Sequence, residues 1–131
     1  MKDYKINEGN MIGKLPAEFD ESINLVQKEL KASADVKKGQ VVEVSGDMTV
    51  APTADSSAKV LGVAMFDAKK DECVAVECEG LFRLTAGSSI TAGDQVTSAA
   101  DGKVATGTTN TVGIALNTAT TDSEVFVKFS I

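Results

Sequence analysis

From Gly39 onward this chain spells one short β pattern twice. The first copy runs G-Q-V-V at Gly39, then Asp47, K-V-L-G-V-A-M over Lys59 to Met65, Asp71, and V-A-V over Val74 to Val76. The second runs G-D-Q-V at Gly93, then Asp101-Gly102, T-V-G-I-A-L over Thr111 to Leu116, Asp122, and V-F-V over Val125 to Val127. Gly62 with Gly113, Ala64 with Ala115, and Asp71 with Asp122 fall in register at one spacing, whereas Gly39 and Gly93 need a gap of three residues inside a loop. One such unit is too small to close a core alone. The duplication therefore predicts two units sharing one barrel or sandwich, in a structural rather than a catalytic role.

The texture from Ala34 on agrees with an all-β body. Short β-branched runs alternate with Gly, Asp, Ser and Thr clusters, the pattern of a small barrel or sandwich. Strands are expected near 41–45, 48–51, 60–66, 73–78, 80–85, 95–98, 103–106, 111–116 and 124–130. Alternation is clearest in the last, which puts Val125, Val127 and Phe129 on one side and Glu124, Phe126, Lys128 and Ser130 on the other. Ser45-Gly46-Asp47 and Asp101-Gly102 supply turns. Gly62 and Gly113 interrupt strand patterns at the same place in both units, which predicts a bulge or a close backbone approach there.

Residues 1–34 read differently, and the chain divides into this N-terminal segment and a β domain over 35–131. Residues 1–15 carry no periodicity and read as an extended arm. A short helix is expected next, with Pro16 in its first turn, Glu18, Asp20 and Glu21 near its positive end, and Lys28 and Lys31 near its negative end. Phe19, Ile23, Val26 and Leu30 form one apolar stripe on it, suited either to docking on the β body or to a coiled seam or contact with a partner.

Composition removes several kinds of chemistry. The chain has no histidine, the commonest general base and zinc ligand. Asp71-Glu72 and Glu77/Glu79 read as a solvated strand face rather than an acid–base pair across a cleft. Cys73 and Cys78 lie five apart on one expected strand, so they should face opposite ways, Cys78 inward, and C-x4-C without histidine is a poor metal motif. The glycines of Thr85–Ser89 and Thr91–Asp94 lack a phosphate-loop lysine and read as turns. No catalytic, cofactor or metal residues are expected. With 19 acidic against 13 basic residues and Arg83 the single arginine, the surface repels phosphate backbones, which argues against nucleic acid. No apolar window of about 18 residues is present to span a membrane, and the polar N-terminus predicts folding in the cytoplasm. Lys37-Lys38 and Lys69-Lys70 are basic pairs in expected turns, either solvated or touching an acidic partner surface.

The order of the motifs resembles one family. G-Q-V-V at Gly39, V-L-G-V-A at Val60, D-A-K-K-D-E-C-V-A-V at Asp67, E-G-L-F-R-L at Glu79, I-T-A-G-D-Q-V at Ile90, D-G-K-V at Asp101 and V-G-I-A-L at Val112 together are similar to phage capsid decoration proteins, also called cement or head-fibre proteins. The likeness covers about residues 35–131. It implies a non-enzymatic virion protein, usually a homotrimer, that binds the major capsid protein on the outside of an assembled head and stabilises or decorates it. A receptor- or glycan-binding fibre module is the alternative, although exposed aromatic platforms are few. Residues 1–34 lie outside the likeness, and their use as capsid anchor or trimer seam is an inference from the apolar stripe.

Overall fold

In a computed structural model, which describes residues 30–131, ten short strands follow one another without an intervening α-helix. The first unit contains β1 (Lys31–Ala32), β2 (Val41–Gly46), β3 (Thr49–Pro52), β4 (Val60–Ala64) and β5 (Val76–Glu77). The second contains β6 (Gly80–Thr85), β7 (Gln95–Ala99), β8 (Lys103–Thr106), β9 (Thr111–Ala115) and β10 (Glu124–Phe129). The strand orders are β1-β3-β2-β4-β5 and β6-β10-β9-β7-β8.

These two orders are the same ring opened at different seams. In the first unit β1 pairs parallel with β3, and an antiparallel bridge between Lys31 and Cys73 brings β1 against the approach to β5. In the second unit β6 pairs with β10 along its whole length, and a parallel bridge between Ala86 and Val104 ties its end to β8. The hydrogen bonds repeat as well. Ala32 N donates to Glu72 O (2.9 Å) as Ala86 N does to Ser123 O (2.9 Å), and Val36 with Ala68 exchanges the same bonds as Ile90 with Ala119. Asp71 and Asp122 both sit in the left-handed region, at φ 74° and 66°, which non-glycine residues seldom occupy.

The duplication reaches the interior. The first core consists of Leu30, Ala32, Val36, Val42, Val50, Ala64, Ala68 and Val74. Its counterparts Leu84, Ala86, Ile90, Val96, Val104, Ala115, Ala119 and Val125 are all in the second core, and the only change is Val36 to Ile90. A five-stranded ring encloses little space, and Val and Ala fill it without forcing the strands apart. Each unit thus curls around an interior of its own, rather than lending strands to one common barrel or sandwich. The units are joined instead by the outer side of the first sheet, where Val41 and Val63 pack into the second cluster with Phe129 and Leu84. Around that seam Ser98 Oγ donates to Ala54 O (2.8 Å) and accepts from Ser57 N (2.9 Å), and Thr53 Oγ1 donates to Ala99 O (3.0 Å). The buried hydroxyls there are satisfied, as burial requires.

Gly62 and Gly113 have the same double role in both units. Val42 faces Gly62 while Glu43 faces Val60, and Val96 faces Gly113 while Thr97 faces Thr111, so one extra residue bulges in each strand. A Cβ on Gly62 would overlap the Glu77 carbonyl oxygen, and one on Gly113 the Lys128 carbonyl oxygen. Both expectations, bulge and close approach, hold at once.

Three local expectations change. Lys31 is strand rather than the end of a helix, because its amide and that of Ala32 are taken by Met48 O (3.0 Å) and Glu72 O (2.9 Å) of neighbouring segments. Cys78 is exposed like Cys73, since β5 pairs only at Val76–Glu77 and the chain turns away before Gly80, whose φ is 140°. The expected arm over 1–15 and the body of the expected helix lie outside the described residues.

Two measurements test these assignments. Gly62→Ala and Gly113→Ala should each lower stability by about 2–3 kcal/mol through overpacking, read from urea midpoints; unchanged midpoints would mean that the strands can separate freely. Lys103 Nζ donates to Asp122 Oδ1 at 2.8 Å, and this bond and the carboxylate charge hold the ammonium above the ordinary lysine value of 10.5. Its raised value makes the contribution to stability complete below that pH, hence constant near neutrality, and lost as pH rises through the higher one. In an NMR titration Lys103 should deprotonate later than in the Asp122→Asn variant.

Candidate partner-binding surface

The acidic residues are dispersed. Asp71, Glu72, Glu77 and Glu79 are all exposed, and Glu72 Oε1 accepts the Lys69 amide at 2.8 Å. Among the described residues no group of three or more Cys, Asp or Glu side chains converges as a metal site would need. Among them, too, no helix is long and apolar enough to cross a membrane.

Two surface features stand out instead. The first is the outer face of β6, β10 and β9. Register places Phe126 opposite Arg83, and Lys128 between Leu81 and Ile114. Leu116 lies beside Phe126, whose carbonyl accepts its amide at 2.7 Å. Leu81 is 70% exposed, and Phe126, Ile114 and Leu116 are also exposed. The Arg83 guanidinium lies 5.6 Å from the centre of the Phe126 ring, and Arg83 Nε is 3.8 Å from Glu124 Oε1. Both members of that ion pair are well exposed, so it contributes little to stability. The β10 alternation read from sequence produces this face, because burying Val125, Val127 and Phe129 turns Phe126 and Lys128 outward.

The second feature is a groove of about 950 Å³ between the units. The Lys37–Gln40 turn and the end of β4 form one wall, while β6, the Asp101–Lys103 turn and Phe126 form the other. Gly102 fits against Gln40 there, and Gln40 Nε2 donates to Asp101 O at 3.0 Å across the floor. Four cations, Lys37, Lys38, Arg83 and Lys103, border the groove against two carboxylates, Asp101 and Glu124.

Of the stripe residues proposed as contacts, Phe19, Ile23 and Val26 lie outside the described residues. Leu30 is 7% exposed and belongs to the first core, where Val74 N donates to its carbonyl at 3.0 Å. The signal for that role was present: L-x-A-x-x-x-V from Leu30 to Val36 repeats as L-x-A-x-x-x-I from Leu84 to Ile90. Arg83 and Phe126 carried no signal as a pair, since their contact depends on β6 and β10 meeting across the whole second unit.

Residues 22–131 match the family model described as phage cement protein. A search of curated proteins gives no match. Among solved structures the fold is similar to the N base of the head fibre gp8.5 of bacteriophage phi29, with a TM-score of 0.64 and 21% identity, over 77% of this chain and 90% of that one. At that identity the likeness speaks for the fold, while the family match extends over most of the sequence and includes both β units. The chain belongs to the phage cement protein family.

Proposed function

We propose that the protein binds the outer surface of a phage head as a homotrimer, with the major capsid protein as its partner, and there stabilises or decorates the shell. The family match over residues 22–131 carries this reading. The build of the body supports it: each unit is a small barrel-like ring stiffened by backbone pairing, and the exposed side chains offer adhesion rather than a reaction centre. The phi29 neighbour is the base of a head fibre, which makes attachment at the foot of a surface structure a use to which this fold is suited. Symmetric trimers multiply modest contacts per protomer into high avidity on a shell that itself repeats.

Within this reading Phe19, Ile23 and Val26 contact a neighbouring subunit or the shell, while Leu30 anchors the segment by its place in the first core. Purified protein mixed with undecorated heads should co-sediment, and its mass in solution should be that of a trimer. Ile23→Asp combined with Val26→Asp should weaken assembly or head binding by about tenfold or more while leaving the thermal midpoint in place. Absence of co-sedimentation at every salt concentration would refute the proposal. A variant that binds normally but melts earlier would place those side chains within the protein's own packing.

A further inference from the structure

The two units provide an internal control for which side chains the fold needs. The turns before β2 and β7 have the same backbone. Gln40 N donates to Lys37 O at 3.1 Å as Asp94 N does to Thr91 O at 3.0 Å, and Gly39 N donates to Ala64 O at 2.9 Å as Gly93 N does to Ala115 O at 2.8 Å. The Lys37 amide is received by Gln40 Oε1 at 2.8 Å, the Thr91 amide by Asp94 Oδ2 at 3.0 Å. The Lys38 amide goes to Asp67 Oδ1 at 2.8 Å, and its counterpart Ala92 N to Thr118 Oγ1 at 3.1 Å. Gly39 and Gly93 share φ values of 88° and 92°. The second unit builds this turn with Thr91 and Ala92, so the geometry does not call for the lysine side chains of the first.

Those lysines stand where they change the surface most. Both are exposed and border the groove between the units. Arg83 and Lys103, on the opposite wall, already have acidic neighbours in Glu124 and Asp122. Lys37 and Lys38 form no ion pair with any described residue. On a chain of net charge -6 the groove is therefore a local cationic site, with two ammonium groups that form no ion pair with a described carboxylate. Its lining also includes the exposed Leu81 and Phe126 and the half-buried Met65, which favour a ligand with apolar side chains.

We infer that this groove receives an acidic polypeptide segment of the shell protein, with carboxylates against Lys37 and Lys38 and apolar side chains between the units. The inference rests on the capsid-binding reading above. A polyphosphate fits less well, because it has no apolar groups to set against the exposed Leu81 and Phe126 of the lining. Charge complementarity of this kind acts mainly on encounter and salt dependence.

The test is the double variant Lys37→Thr, Lys38→Ala, which copies the sister turn and so should keep the thermal midpoint. Co-sedimentation of the full chain with undecorated heads should weaken about tenfold at low salt, and the salt dependence of binding should flatten. Thr91→Lys with Ala92→Lys should not raise affinity. A carbodiimide, which joins amines to carboxylates, should link Lys37 or Lys38 of the wild type to Asp or Glu of the shell protein. Equal binding by wild type and double variant at all salt concentrations would overturn the groove assignment alone, as would links confined to other lysines. Competition by duplex DNA as effective as that by poly-aspartate would overturn it in favour of a nucleic acid. If the wild type fails to bind heads, the capsid-binding reading falls with it.

Discussion

Strand β4 can lie against β5, and β9 against β10, only because Gly62 and Gly113 have no side chain. In each unit the carbonyl of the facing strand, from Glu77 or Lys128, occupies the space a Cβ would take. The bulges at the same glycines add local twist, and a short sheet needs twist if its first and last strands are to approach each other. Closure then brings Lys31 to Cys73 and Ala86 to Val104. It leaves an interior narrow enough for Val and Ala to fill. The paired cores, the shared seam at Val41 and Val63 and the surface groove all depend on that close backbone approach.

Much of this was legible because duplication writes the same constraint twice. The strand positions, the last strand's alternation and the importance of Gly62 and Gly113 follow from local pattern, which periodicity captures well. Less visible was what depends on partners distant in sequence. Leu30 fitted a helical stripe by spacing, yet its match to Leu84 identifies a core position of the first unit. Lys31 fitted a helix end by charge, yet its amide pairs with Met48. Cys78 fitted an alternating strand that stops one residue earlier. Repetition alone predicts two units that share one barrel or sandwich, whereas the structure docks two rings side by side. That choice is made by Val41 and Val63, whose neighbours in sequence, Val42 and Ala64, point into the first ring.

The same comparison separates structure from use. Where the units agree, at the glycines, the left-handed aspartates and seven of the eight core positions, the shared residues maintain the ring. Where they differ on one backbone, as Lys37-Lys38 does from Thr91-Ala92, the fold is indifferent and the difference is available to a partner. Membership of the phage cement family makes a capsid-associated role the setting in which those differences act. A chain with no histidine and dispersed carboxylates is suited to such a role, in which a stable body holds adhesive surfaces in fixed relation.

The most direct test is a cryo-electron microscopy difference map between heads with and without this protein. The account predicts added density on the outer surface, resolved as two adjoining rings, with the groove bordered by Lys37 and Lys38 against the shell. Density with that groove facing solvent, or a single fused barrel in place of two rings, would contradict it.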